Sequence, residues 1–380
     1  MIKVGILGNL ANVGFDLMIL LNDSPKINAY LIEKESTKSD FLIKNPFFLE
    51  QDNKNVIFTK TPFKFSGSLF RYLEARKYDV LISICSNGKE FLPFSKIKYI
   101  SYATGSDLRE LAVGKIDSRI SSKLAKMTFQ KCNLLLYSCD HGQIKAINEC
   151  NINSPQIPWR QTVDIDYWSK PKTGKYSKEI SKFDGLKIFH PSNLIWKETF
   201  PGQSLKQNDL YFRGFKEFLD YGGIGHTFYL QRGQNIKETE ELIRTLNIEK
   251  NCTPISTSLN REELREIMHA TDIISDQFSD LEYFGLLALE AMSCAKPVLV
   301  RVSNELIKKA YPEMELTESP FLKCSDVSDI CNALQVLSEK NSLNNYSQKS
   351  FDWVSKYHSK KALLEWYSQH INNVLGLHGL

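Results

Sequence analysis

The sequence predicts an α/β protein of two domains, each built on a parallel sheet. Three observations lead there. The chain has 380 residues, two to three domains' worth at about 100–200 residues each. Short apolar, β-branched runs recur with helical stretches between them, the alternation that a parallel sheet needs for its crossovers. A polar, lysine-rich stretch then interrupts the alternation, which restarts beyond it.

In chain order, the first set of strand signals falls at residues 2–7, 28–32, 56–59, 78–84, 97–101 and 133–138. Lys170, Pro171, Lys172, Gly174, Lys175, Lys178 and Lys182 follow, a linker composition that places the domain junction near residues 165–185. The second set falls at 186–190, 227–231, 253–256, 272–275 and 297–301, with a helix signal at 261–270. The domains are therefore expected at 1–165 and 166–359. In the tail, 360–380, Leu363, Leu364, Trp366, Tyr367, Ile371 and Val374 form an approximate helical stripe that could serve either domain. Packing back on the first domain is the expected arrangement.

Composition narrows the function classes. With 42% hydrophobic and 24% charged residues the chain reads as an ordinary globular protein. Its apolar runs, such as those at 81–85 and 298–300, fall far short of the ~20 residues that cross a bilayer, and no secretory leader pattern is visible. A cytoplasmic protein is expected. The eight cysteines form no C-x-x-C pair or cysteine–histidine cluster, and the seven histidines include no H-E-x-x-H, so neither structural metal nor a disulfide framework is expected. The overall charge of +4 is uneven: the first 165 residues are net basic and the remainder slightly acidic. A solvated lysine-rich surface and an anionic partner both fit that excess.

Two motifs stand out. The first predicted strand runs into Gly5-Ile-Leu-Gly8-Asn9-Leu-Ala-Asn-Val-Gly14, a glycine turn where open α/β sheets bind ligands. Its spacing is neither G-x-G-x-x-G nor a P-loop. The turn either lets a substrate approach the backbone or merely joins strand to helix. The second runs from Asp276 through Glu282-Tyr283-Phe284-Gly285-Leu286-Leu287 and Glu290 to Pro297-Val-Leu-Val, reading as strand end, loop, helix, turn and strand. On one continuous helix Glu282 and Glu290 would stand ~12 Å and ~80° apart, too far to share a small ligand. A helix starting between them, at Gly285, would let both reach one ligand and turn its first amides to an anion. The alternative is a capping box at Ser279-x-x-Glu282 with Glu290 on the surface.

Taken together, these residues resemble the retaining glycosyltransferase family 4, whose signature is E-x7-E and whose fold is GT-B, two Rossmann-like domains facing across a cleft. Glu282-x7-Glu290 with Phe-Gly inside it and Pro-Val after it is similar to that signature. Gly105-Ser106-Asp107-Leu108-Arg109 resembles the G-[ST]-D-[LI]-R segment of many N-terminal domains there. Phe189-His190-Pro191-Ser192 resembles the strand opening the donor domain, Lys206-Gln-Asn-Asp209 the K-G-x-D segment, and Ala270-Thr-Asp272 the segment before the acidic motif.

The resemblance implies that Glu290 holds the nucleotide ribose and Glu282 contacts the transferred sugar. Lys206 meets the diphosphate, and the loop Tyr283, Phe284, Gly285, Leu286 and Leu287 turns amides to it. Catalysis is assigned to Glu282 and, on the acceptor side, Asp107; Gly8, Asn9 and Gly105 line the acceptor side. Asn193 replaces an arginine frequent in the family, and Arg232 is its candidate substitute, or else an ordinary surface-loop residue. Gln207 and Ala295 replace customary glycines, and Thr104 a histidine. Asp107 is equally readable as a helix N-cap.

The implied activity is transfer of a sugar from a nucleoside-diphosphate sugar to a glycan, lipid-linked or other hydroxyl acceptor with retention of configuration, as in polysaccharide or lipopolysaccharide biosynthesis. No metal, cofactor or nucleic acid is expected; the sugar nucleotide is a co-substrate. The rivals are a non-catalytic GT-B scaffold or partner subunit of a glycan-assembly complex, and a nucleotide-sugar epimerase. The basic first half, with Phe63-Lys64-Phe65, Phe70-Arg71-Tyr72, Arg76-Lys77 and a basic helix candidate at 115–131, further suggests a peripheral contact with an anionic membrane surface.

Overall fold

The computed structural model describes residues 1–38, 54–59, 67–116, 118–199, 203–255 and 259–377. They form two compact units: Met1–Thr162 with Lys360–Leu380, and Val163–Ser359.

Unit 1 is a parallel sheet of seven strands, β1 Ile2–Leu7, β2 Ile27–Lys34, β3 Val56–Thr59, β4 Val80–Ile84, β5 Tyr99–Tyr102, β6 Leu134–Tyr137 and β7 Gln156–Pro158, in the order β3-β2-β1-β4-β5-β6-β7. All of β4 and all of β6 is buried, as expected where helices cover both faces of a parallel sheet. β7 has no strand signature of its own. It is three residues long, ends on Pro158 and forms the sheet edge, where a missing N–H costs no ladder bond. On one face, Leu17 and Leu21 of helix Val13–Asn22 share a core with Leu363, Tyr367 and Ile371 of helix Lys360–Leu375. The Tyr367 hydroxyl donates to the Arg160 carbonyl (2.7 Å), and Lys360 pairs with Asp23 (2.5 Å). The apolar stripe of the tail thus belongs to unit 1.

Unit 2 carries β8 Leu186–His190, β9 Gly225–Leu230, β10 Cys252–Ile255, β11 Ile273–Ser275 and β12 Val298–Leu299, all parallel, in the order β10-β9-β8-β11-β12. Helix Asn208–Asp220 packs Tyr211, Phe212, Phe215 and Phe218 into its core. Gly214, on the same helix, lets helix Val327–Ser338 approach so closely that a Cβ would stand 2.6 Å from Ile330.

The lysine-rich stretch is not a linker. Lys175–Ile180 is a helix docked on Arg261–Ala270, where the Ser177 amide and hydroxyl donate to buried Glu266 (2.9 and 3.0 Å). Lys172 and Lys175 face Glu262 and Glu263 (3.4 and 3.5 Å). The basic composition answers an acidic helix of the same unit, and the chain changes unit at Thr162–Val163 and again at Ser359–Lys360. Phe63, Lys64 and Phe65 lie outside the described residues, as do residue 117 of the basic helix candidate and residue 256 of the predicted third strand of unit 2. Arg71 is 3% exposed, so it is no surface charge, whereas Leu69, Phe70 and Leu73 on the same helix, Gly67–Ala75, are 57%, 41% and 47% exposed. Among the described residues no helix is long and apolar enough to cross a membrane.

Candidate functional site

In each sheet the strand order reverses beside the first strand of the unit, between β1 and β4 and between β8 and β11. Connections leave in opposite directions there, opening a crevice outside the carboxyl ends of the strands, the usual ligand position in such sheets.

In unit 2 the crevice is framed by His190, which is fully buried. Its Nδ1 donates to the Ser275 carbonyl (2.9 Å), and its Nε2 accepts from the Asn208 amide (2.9 Å). Burial pushes its pKa down to about 3, which matches this neutral arrangement. The ring stacks on Tyr211 at 4.8 Å, so His190 fastens the start of helix Asn208–Asp220 to the strand ends. Just before that helix, the Lys206 amide donates to the Ile195 carbonyl (2.6 Å) and its carbonyl accepts from Phe278 (2.9 Å). The lysine backbone is thus anchored on two sides, and its Nζ donates to the Ser192 hydroxyl (3.3 Å).

Arg232 leaves the end of β9 and turns back over β8. Its Nε donates to the Asn193 side chain and its Nη2 to the Pro191 carbonyl (3.4 Å). The turn is possible because Leu194 and Gly233 form a parallel bridge, and a Cβ on Gly233 would stand 2.4 Å from the Leu194 carbonyl oxygen. Asn193 and Arg232 are therefore one unit of structure: the asparagine holds a guanidinium that comes from the neighbouring strand.

The acidic loop follows β11. Helix Leu286–Ser293 begins at Gly285, between the two glutamates. The capping-box alternative does not form: the Glu282 amide donates to the Ser279 carbonyl (3.1 Å), and the helix starts four residues after Glu282. Glu282 adopts a left-handed backbone (φ 54), and its Oε1 accepts from Arg301 Nη2 (2.8 Å) and Nε (3.2 Å). Arg301 also binds Asp280 (2.6 Å), whose other oxygen accepts from Gln207 (2.8 Å). Tyr283 and Phe284 are buried and stacked (4.7 Å), and Phe284 lies edge-on to Trp353. Their rings anchor the loop in the core, so its backbone is the part left to meet a ligand. A Cβ built on Gly285 meets nothing within 4 Å. Leu286 and Leu287 open the helix, and Glu290, one turn on, is half-buried.

Both replaced glycines keep the backbone that glycine would favour: Gln207 has φ 50 and Ala295 has φ 53. Ala295 closes the helix in a Schellman turn, with Lys296 N–H donating to the Ala291 carbonyl (3.0 Å) and Ala295 N–H to that of Met292 (2.9 Å).

In unit 1, Gly8 has φ 93, and a Cβ there would strike the Asn87 side chain at 2.2 Å; one on Gly14 would strike the Gly8 carbonyl at 2.2 Å. Asn9 accepts from the Phe15 amide (2.8 Å) and donates to Asn12 (3.3 Å). The protein's own packing accounts for both glycines and for the Asn9 side chain. Across the switch point, Cys85 and Ser86 are consecutive left-handed residues (φ 53 and 54), opening a tight loop that sequence reasoning missed. Asp107 is 3% exposed; its Oδ1 accepts from the amides of Thr104 (3.0 Å) and Gly105 (2.8 Å), while its Oδ2 is buried without a hydrogen-bond partner. Burial pushes its pKa up to about 6. Gly105 is packed by Arg109, which pairs with buried Asp140 (2.9 Å).

The structure thus gathers Asn193, Lys206 and Arg232 at the ends of β8 and β9, and Glu282 through Glu290 after β11, within one unit. It adds Ser192, Asp276 and Arg301, whose side chains no motif singled out. Arg301 stands just past the Pro-Val-Leu-Val run, and only three-dimensional pairing links it to Asp280 and Glu282. Among the described residues no group of three His, Cys, Asp or Glu side chains could hold a metal ion.

No protein-family model matches the chain, and none of the curated proteins does. Solved structures do. HepE from Anabaena in complex with UDP-glucose is similar over 98% of this chain and 100% of its own, with TM-score 0.63 and 13% identity. Sucrose-phosphate synthase from Thermosynechococcus elongatus is similar over 99% and 100%, with TM-score 0.63 and 10% identity. MnaA from S. aureus in complex with UDP is similar over 99% and 98%, with TM-score 0.57 and 13% identity. The fold is the GT-B fold, as the resemblance implied.

Proposed function

We propose that the chain is a retaining, metal-independent glycosyltransferase that moves a sugar from a nucleoside-diphosphate sugar to a hydroxyl acceptor, a glycan or a lipid-linked sugar. The observation that carries this reading is the pair of cations at one switch point, Lys206 anchored through Ser192 and Arg232 held by Asn193. Two fixed cations and the first amides of helix Leu286–Ser293 suit a diphosphate. UDP and UDP-glucose bound to HepE favour a uridine nucleotide.

In this reading Glu290 takes the ribose hydroxyls and the backbone from Tyr283 to Leu287 faces sugar and diphosphate. Glu282, its carboxylate oriented by Arg301, contacts the transferred sugar. As the bond from the anomeric carbon to phosphate breaks, charge grows on the leaving diphosphate, and Lys206, Arg232 and the amides stabilise it in place. The acceptor oxygen bonds to the same face of that carbon, and its proton passes to the departing phosphate oxygen, which preserves configuration. Asp107 is the acceptor-side group in unit 1. Its role in this reading is to orient the acceptor hydroxyl, whose proton goes to the phosphate oxygen.

Thermal-shift screening of uridine, guanosine and adenosine diphosphates and their sugars should show stabilisation by one nucleotide, and that nucleotide should be released when acceptor is added. Stabilisation without release would favour the scaffold reading; no stabilisation by any of them would refute the donor site. Exposed Leu69, Phe70 and Leu73 beside exposed Arg76 and Lys77 favour a peripheral contact with anionic lipid at the inner face of the membrane, which would present a lipid-linked acceptor.

A further inference from the structure

Two residues that border the unit 2 crevice hold a left-handed backbone without being glycine, Gln207 (φ 50) and Glu282 (φ 54), and the transfer described above gives Gln207 no task. Such a backbone is strained for any residue with a side chain, and glycine would relieve it. A side chain kept there in spite of the strain points to a contact that glycine could not make.

Gln207 makes that contact. Its Nε2 donates to one oxygen of Asp280 (2.8 Å), and Arg301 Nη1 donates to the other (2.6 Å). Arg301 then reaches Glu282 Oε1 through Nη2 (2.8 Å) and Nε (3.2 Å). The result is a relay of four side chains, Gln207–Asp280–Arg301–Glu282, which begins one residue after Lys206 and ends on the carboxylate assigned to the sugar. Backbone bonds brace both ends. The Phe278 amide donates to the Lys206 carbonyl (2.9 Å), the Arg301 amide to the Gln277 carbonyl (3.0 Å), and the Ser303 amide to the Glu282 carbonyl (3.0 Å).

Stability does not account for the relay. The Asp280 side chain is 74% exposed, and an ion pair in that much water contributes little to folding. What the relay fixes is a spacing. Transfer needs the sugar and the leaving diphosphate gripped in one register, because a catalytic group ~1 Å out of place costs on the order of 10²-fold in rate. Resting on the donor-site reading, we propose that Gln207 and Asp280 are positioning residues: through Arg301 they hold the Glu282 carboxylate in register with Lys206, so that the grip on the diphosphate and the contact to the sugar act as one frame.

The test is the release of UDP from UDP-glucose, with GDP-glucose and ADP-glucose as alternates and water as the acceptor, measured beside nucleotide titrations and melting curves. Gln207→Gly should keep or raise the melting temperature, since the strain goes and only an exposed contact is lost. Its affinity for the nucleoside diphosphate should equal that of the wild type, because the Lys206 backbone keeps its own two anchors. Its kcat should fall, by up to about 10²-fold, with KM little changed. Asp280→Ala should reproduce that kinetic loss, and Gln207→Gly made in the Glu282→Ala protein should cost nothing more, since the relay acts only through that carboxylate. A merely structural role would lower stability and activity together. Wild-type kcat in Gln207→Gly and Asp280→Ala overturns the proposal, and so does a loss that adds in full to that of Glu282→Ala. Binding without release by the wild type, or no binding of any of the three sugar nucleotides, overturns the transfer reading itself and this inference with it.

Discussion

The two crevices share a backbone plan and differ in what fills it. Both lie where a parallel strand order reverses, after β1 in unit 1 and after β8 in unit 2. In unit 2 charged side chains point to the strand ends, each held by a named partner: Lys206 by Ser192, Arg232 by Asn193, Glu282 by Arg301. In unit 1 the corresponding loops are closed by their own packing, with Asn87 against Gly8 and Asn9 against Phe15, and Asp107, a carboxylate whose pKa burial raises, is buried. The difference teaches that one architecture can present fixed charge or shaped backbone. Fixed charge suits a ligand whose negative charge grows during reaction; shaped backbone suits a neutral hydroxyl.

Five substitutions follow from this contrast and its loops, and the largest effect is expected from the acidic loop. Glu282→Ala should lower kcat by on the order of 10²-fold, because a contact to the reacting sugar counts most in the transition state. Glu290→Ala should instead raise the donor KM with kcat little changed, as for a contact made equally in ground and transition states. Steady-state kinetics of both variants beside their melting curves decides the point. Wild-type kinetics with lost stability alone would reduce both residues to structural ones.

Gly285→Ala sharpens the comparison. A methyl there meets no protein atom within 4 Å, so thermal stability should stay within the ~0.5 kcal/mol usual for harmless surface changes. Donor affinity should drop, because the methyl projects where the helix amides would meet the ligand. Gly8→Ala is the opposite case: it should destabilise unit 1 outright, since a Cβ collides with Asn87 at a left-handed backbone position. Melting curves and nucleotide titrations of the two proteins should separate them cleanly, and equal behaviour would dissolve the distinction between the crevices.

The smallest effect concerns strain. A left-handed alanine costs ~1–2 kcal/mol relative to a relaxed backbone, partly offset by the extra freedom glycine has when unfolded, so Ala295→Gly should gain about 0.5–1 kcal/mol. The melting temperature should rise by ~1–4 °C. An unchanged or lower melting temperature would show that the turn is not strained at Ala295.

Most strands were legible because each is an apolar run bounded by polar turns, and β1, β3 and β8 match their runs to the residue. β7 was not, since three residues ending in proline carry no periodicity. Lys170–Lys182 was misread because linker composition and charge complementarity to helix Arg261–Ala270 look alike until the acidic partner is placed beside it. In the candidate site, the two glutamates stood out by their spacing, and Lys206 only through the resemblance of its segment. Ser192 and Arg301 did not stand out, because their contacts arise from neighbours along the chain that no motif joins: Ser192 lies 14 residues from Lys206, and Arg301 19 from Glu282. The retained left-handed backbone at Gln207 and Ala295 also escaped the sequence, where the missing glycines read only as departures.

The most direct measurement of the central claim, that the unit 2 crevice binds the diphosphate of a sugar donor, is isothermal titration of UDP into the wild type and Lys206→Ala. Loss of a hydrogen bond to a charged group costs about 1.5–3 kcal/mol, so the variant should bind about 10- to 100-fold more weakly. Equal affinity in the two proteins, or no binding of any nucleoside diphosphate to the wild type, would contradict the claim.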